Sequence, residues 1–182
     1  MGERGGWWAD DPYVGMVYER NGRRRLTGGQ RVEVEAPDGW VAIEATGGVA
    51  VREAPAPDLV LECPQPGRAD AARVSVTLAP RGATLDEDSR RVAACLEGAD
   101  PSAYMASCDV WPHPVWGDGL LLQSARIGDG ATFAHDCFLF HDESDLVLVD
   151  VQCVLDDLLT LEDEVADIVA RTRPLAARGE GA

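Results

Sequence analysis

Residues 119–155 read GLLLQSARIGDGATFAHDCFLFHDESDLVLVDVQCVL, and this stretch decides the fold. It predicts three consecutive strands: Leu120 to Ile127, Thr132 to Phe140 and Leu146 to Leu155. Asp129-Gly130 is the dipeptide a two-residue hairpin turn requires, because both central residues must reach positive φ. His141 to Asp145 forms a longer polar loop into the third strand. A meander of about three strands with an apolar face is the smallest such unit that is stable alone. The rest of the chain is therefore read as extending or covering this sheet.

Working upstream, Asp100 to Trp116 carries Pro101, Pro112 and Pro114. The last two rule out a central strand and leave an edge strand or an irregular crossing. Before it, Thr84-Leu85-Asp86-Glu87 is a capping box, with acidic residues at 86–88 suited to the positive end of a helix dipole. Leu85, Val92, Cys95 and Leu96 form one apolar stripe, and Gly98 is placed to end that helix. Strand patterns precede it at 31–35, 40–45, 49–52, 59–61 and 74–78, separated by Gly and Pro turns. Downstream of the meander, 156–159 reads as a connection and Thr160 as the cap of a final helix. Leu161, Val165, Ile168 and Thr172 keep helical spacing there, and Pro174 stops the helix.

These elements predict an α+β fold, mainly an antiparallel β-sheet packed by a central and a C-terminal helix. The expected division is an N-terminal arm or small hairpin over 1–30, a sandwich domain over 31–175 and a flexible tail over 176–182. At 182 residues the chain is long enough for one sizeable core. All 16 basic residues are Arg against 32 acidic ones, giving a net charge of −16. Nucleic acid and anionic membrane both demand a cationic footprint, so this charge argues against them. It fits a protein partner with a basic surface, or simply a soluble surface. Abundant Ala, Gly, Val and Arg without Lys is the composition of a GC-rich bacterial genome. The start of the chain shows no apolar signal-peptide region, and no stretch reaches the roughly 20 apolar residues of a membrane span. Five cysteines, odd in number and without a C-x-x-C pair, fit reduced thiols and a cytoplasmic location.

Few residues are arranged for chemistry. His135, Cys137 and His141 alternate onto one face of the second predicted strand. His135 and Cys137 stand about 7 Å apart along it, a workable ligand spacing, whereas His141 lies about 13 Å beyond Cys137. If Phe140 pairs with Leu146, Asp136 falls opposite Asp150. A buried carboxylate pair of this kind has split pKa values suited to acid–base work, and a one-residue slip separates it. No phosphate-binding Gly loop, nucleophile elbow or His-Glu-x-x-His motif occurs. Trp7, Trp8, Trp111, His113 and Trp116 are the candidate partner-binding residues, since aromatic anchors dominate protein interfaces. Ordinary edge packing is the simpler reading of the aromatic group from 111 to 116.

Ala36-Pro37-Asp38-Gly39-Trp40, the Thr84 capping box and the terminal string from Ile168 to Pro174 together resemble the PsbP-like α/β/α sandwich superfamily. That superfamily includes photosystem extrinsic subunits, a Ran-binding import factor, LpqN-type lipoproteins and type VI effector chaperones. The resemblance covers about Val32 to Pro174, and it implies a binding role with no shared catalytic residues. The arm before residue 31 and the missing lipidated Cys depart from some members. The expected function is a non-enzymatic protein-binding module, an adaptor or chaperone-like partner with no cofactor, metal or catalytic residue. The oligomeric state is open, and a homodimer formed by strand addition is compatible with it. The alternative is a small-molecule or metal-binding protein using the His135/Cys137 face.

Overall fold

A computed structural model describes residues 23–28, 31–43, 55–65, 67, 70–128 and 130–175. Ten strands and two helices follow one another over these residues. They are β1 (Arg23–Gly28), β2 (Val32–Pro37), β3 (Val41–Ile43), β4 (Leu59–Cys63), β5 (Ala72–Pro80), α1 (Leu85–Ala99), β6 (Tyr104–His113), β7 (Gly117–Gly128), β8 (Ala131–His141), β9 (Asp145–Val154), α2 (Leu155–Ala170) and β10 (Thr172–Pro174). The large sheet has seven antiparallel strands in the order β3-β4-β5-β9-β8-β7-β6, and β1-β2-β10 form a small second sheet. The meander predicted from 119–155 is β7-β8-β9, and it supplies the centre and one flank of the large sheet.

Alternation along β8 explains the layering. Phe138 and Phe140 point to one face, where they join Val147, Val149 and Val151 of β9 and Val74 and Val76 of β5. Val165, Ile168 and Val169 of α2 and Val32 and Val34 of β2 close that core. Trp40 is buried there too, and its Nε1 donates to Glu164 of α2 at 3.0 Å. Cys137 and Leu139 point to the other face, where Leu122, Leu146 and Leu148 meet Val92 and Leu96 of α1. The result is helix, sheet, helix, with the small sheet beside α2. This is the α+β sandwich expected of the sequence.

Several local expectations change. Residues 23–28, read as part of an N-terminal arm or small hairpin, pair antiparallel with β2 across the expected boundary at 31, from Gly28 opposite Val32 to Arg23 opposite Pro37. Residues 1–22 of the expected N-terminal arm or small hairpin, and the strand pattern at 49–52, lie outside the described residues. Gly98 does not end α1; the helix runs to Ala99, and the Asp100 amide bonds Leu96 O before Pro101. Thr160 does not cap α2. Val154 is the cap residue, β9 runs straight into the helix, and the Thr160 hydroxyl turns back to Asp156 O at 3.1 Å. Thr172 leaves the helix to pair with Val34, so the C-terminal Thr-Arg-Pro is a strand. Its hydroxyl still bonds Ile168 O at 2.9 Å, which is why it keeps the helical spacing.

Candidate functional site

The loop between β8 and β9 is shorter than the sequence suggested, because His141 and Asp145 both belong to strands. Phe140 therefore pairs with Val147 and His141 with Leu146. This one-residue slip puts Asp150 opposite Cys137 and Asp136 opposite Val151. The two aspartates face opposite sides of the sheet, and the proposed carboxylate pair does not form. Asp150 instead meets the two residues that the strand pattern had already aligned. His135 Nε2 contacts Asp150 Oδ1, and Cys137 Sγ donates to the same oxygen at 3.0 Å. Cys137 Sγ also lies 3.5 Å from His135 Nε2. Gln152 Nε2 donates to the other oxygen of Asp150 at 2.8 Å.

The electrostatics follow from this geometry. Burial works against a charged His135 ring, but Asp150 and then Asp136 outweigh it and hold the imidazole above its usual range. Burial likewise raises Asp150, and the His135 charge with bonds from His135, Cys137 and Gln152 brings it below the usual carboxylate range. Burial, reinforced by Asp150, drives the Cys137 thiol far up, so it is a proton donor rather than a nucleophile. Among the described residues this is the one group of His, Cys and acidic side chains whose ligand atoms all lie within 4.8 Å of one another.

The remaining sequence candidates have other neighbours. His141 reaches Asp88 at 2.8 Å, far from His135. Asp88 is fully buried and also accepts from Gly82 N at 2.8 Å and Arg91 at 2.6 Å. It holds the start of α1 to the sheet, a role its place in an acidic first turn did not reveal. On the opposite face, burial raises the pKa of Asp136, which Gln123 offsets only in part with a hydrogen bond at 3.2 Å. Burial also pushes the nearby Cys153 thiol up to about 12.

β6 is an edge strand, as Pro112 requires. It carries Trp111 and His113, and Trp116 follows in the turn to β7. His113 is buried and bonds Val169 O of α2 through Nε2 at 2.9 Å. Its Nδ1 accepts from Val115 N at 3.1 Å and Trp116 N at 3.3 Å, which fixes the neutral tautomer. Burial keeps its pKa below the usual range. The ring stacks on Trp116 at 4.3 Å and tilts against Phe140 at 4.7 Å, while Trp111 meets Phe138 edge-on at 5.1 Å. Trp111 and Trp116 are half-buried, and Trp116 Nε1 is a buried donor without an acceptor among the described residues. Trp7 and Trp8 lie outside the described residues. Val110 and Val115 beside this group, and Tyr104 at the other end of β6, are about half exposed, at 48%, 50% and 52%. Sequence reasoning passed over them because an edge strand, paired on one side alone, gives no pattern that reveals which side chains stay open.

No family model and no curated protein sequence matches the chain. Solved structures do. The solution structure of cyanobacterial PsbP (CyanoP) from Synechocystis sp. PCC 6803 superposes with a TM-score of 0.60 at 14% identity, covering 84% of this chain and 92% of that one. LpqN, involved in cell envelope biogenesis of Mycobacterium tuberculosis, gives 0.55 at 14% identity over 84% and 90% of the two chains. A point mutant of the protein Mog1 gives 0.54 at 10% identity over 86% and 97%. With the strand order, the two flanking helices and these neighbours together, the chain has the PsbP-like α/β/α sandwich fold.

Proposed function

We propose that the chain is a non-enzymatic protein-binding module of adaptor or chaperone-like kind, docking a basic partner along the β6 edge. The observation that carries this reading is β6 itself. It spans ten residues, pairs with β7 alone among the described strands, and shows Tyr104 and Val110 to solvent. A long open edge is a template for an added strand, and side chains beside it select the partner. A bulge between Met105 and Ser107 interrupts the edge and Pro112 lacks an amide, so the regular edge runs from Ser107 to Trp111, with Tyr104 beyond the bulge. The opposite edge, β3, has three residues among those described and offers less there. A net charge of −16 supports a basic partner and charge-steered encounter. Fold likeness to PsbP, LpqN and Mog1 supports the reading without naming the partner. Five unpaired thiols support a reducing, cytoplasmic setting.

Capture from extracts of the source organism tests it. Tyr104→Lys/Val110→Lys repels a basic partner and reduces capture at least about tenfold, and capture by the unaltered chain weakens between about 0.05 and 0.5 M salt. Trp7→Ala/Trp8→Ala shows whether those aromatics add an anchor. Capture that ignores both the edge charges and the salt overturns the reading.

A further inference from the structure

We propose that His135, Cys137 and Asp150 form a binding site for a borderline divalent transition ion of the zinc type. The site goes beyond the docking surface, lying on the α1 face of β8 and β9. Nitrogen, sulfur and carboxylate oxygen converge there, all within 4.8 Å. A tetrahedral ion with bonds of ~2.3 Å to sulfur and ~2.0 Å to nitrogen holds those two atoms ~3.5 Å apart. The Cys137–His135 separation is already 3.5 Å. Cys137 and Asp150, at 3.0 Å, spread by ~0.5 Å to reach the matching tetrahedral edge, and the shorter His135–Asp150 contact opens by more.

Two features favour a ligand site over a merely satisfied polar cluster. Around Cys137 the α1-side core is Leu122, Leu139 and Leu148, so an apolar trio would fill the space without ordering three polar groups. Gln152 also holds Asp150 Oδ2 and leaves Oδ1 to the cluster, the arrangement by which an outer residue orients a carboxylate ligand. Access fits as well. Cys137 is buried and forms the floor, while the His135 and Asp150 side chains retain 22% and 17% exposure and form the mouth. Water from that side completes the fourth position. Thiolate and imidazole select zinc-like ions over magnesium and calcium, which take oxygen ligands. Binding displaces the Cys137 thiol proton and the proton shared by His135 and Asp150. Sulfur, nitrogen and oxygen each donate an electron pair, and nothing is oxidised or reduced.

Cobalt(II) is the probe, added to the full-length reduced chain and followed by absorption spectroscopy. The expected result is one ion per chain, with thiolate-to-cobalt charge transfer in the near ultraviolet and the visible bands of a tetrahedral ion. Cys137→Ser abolishes the charge-transfer band, Gln152→Ala weakens binding about tenfold, and His135→Gln weakens it by more. Cys108→Ser, at an exposed thiol, leaves the spectrum unchanged. Circular dichroism confirms that each variant is folded. Absence of the charge-transfer band in the unaltered chain at excess cobalt overturns the site whatever the variants do. So does a band that survives Cys137→Ser.

Discussion

Asp136 and Asp150 show how one residue of register decides what a side chain can do. On the α1 face Asp150 gathers His135, Cys137 and Gln152, while on the α2 face Asp136 has Gln123 and a shortage of positive charge. Burial raises the pKa of Asp136, so its charged form costs stability at neutral pH. Asp136→Asn keeps the Gln123 bond and removes that charge. It raises stability by about 0.5–1 kcal/mol at pH 7, or about 1–4 °C in Tm, and the gain vanishes in acid where Asp136 is already protonated. Urea or thermal melts at both pH values read this directly. His113 gives the complementary case. Its lowered folded pKa means the neutral ring is the one the fold accepts. Its contribution is present above the unfolded value of about 6.5 and is lost as pH falls through the lowered folded value. His113→Gln costs about 2 kcal/mol at neutral pH, and its deficit against the unaltered chain shrinks in acid. Strand alternation alone placed His135 and Cys137 together. Asp150 was not legible beside them, because register depends on where a loop ends, and His141 proved to be strand.

Elements were most legible where local chemistry is closed on itself. The Thr84 capping box reads directly from sequence, and its hydroxyl accepts from the Glu87 amide at 3.2 Å. Pro112 likewise announced an edge strand. The start of α2 was misread because β9 passes into the helix without a side-chain cap, and a Thr three residues before an acid imitated one. Gly119 shows the same limit. The string Gly-Asp-Gly reads as a turn, and Gly117 does take φ of 75° there. Gly119, however, is a strand residue against which the Phe140 ring lies: an added Cβ would sit 2.3 Å from Phe140 Cδ1 and 2.5 Å from Leu139 O. Only tertiary packing reveals that constraint. Gly119→Ala costs about 2–3 kcal/mol, because a backbone oxygen cannot yield as a side chain can. Denaturant melts check it, and Gly98→Ala, with nothing near its Cβ position, is the control.

At the scale of the molecule, two helices bury the sheet from both faces, and no described strand other than β7 pairs with its long edge strand β6. The His135–Cys137–Asp150 cluster lies on one face of β8 and β9, two and three strands away from that edge. A net charge of −16 adds long-range attraction for a basic partner but carries no information about where it lands. Composition therefore bears on the kind of partner proposed, while the proposed docking edge rests on the sheet order. The most direct test of the binding-module account is site-specific photo-crosslinking in cells of the source organism. The probe replaces Val110 on the β6 edge or, as a control, Leu159 on the exposed side of α2. The account predicts one dominant adduct from position 110, formed with a basic protein, reduced by Tyr104→Lys and absent from position 159. Equal adducts from both positions, or none from position 110 while the protein is folded and expressed, would contradict it.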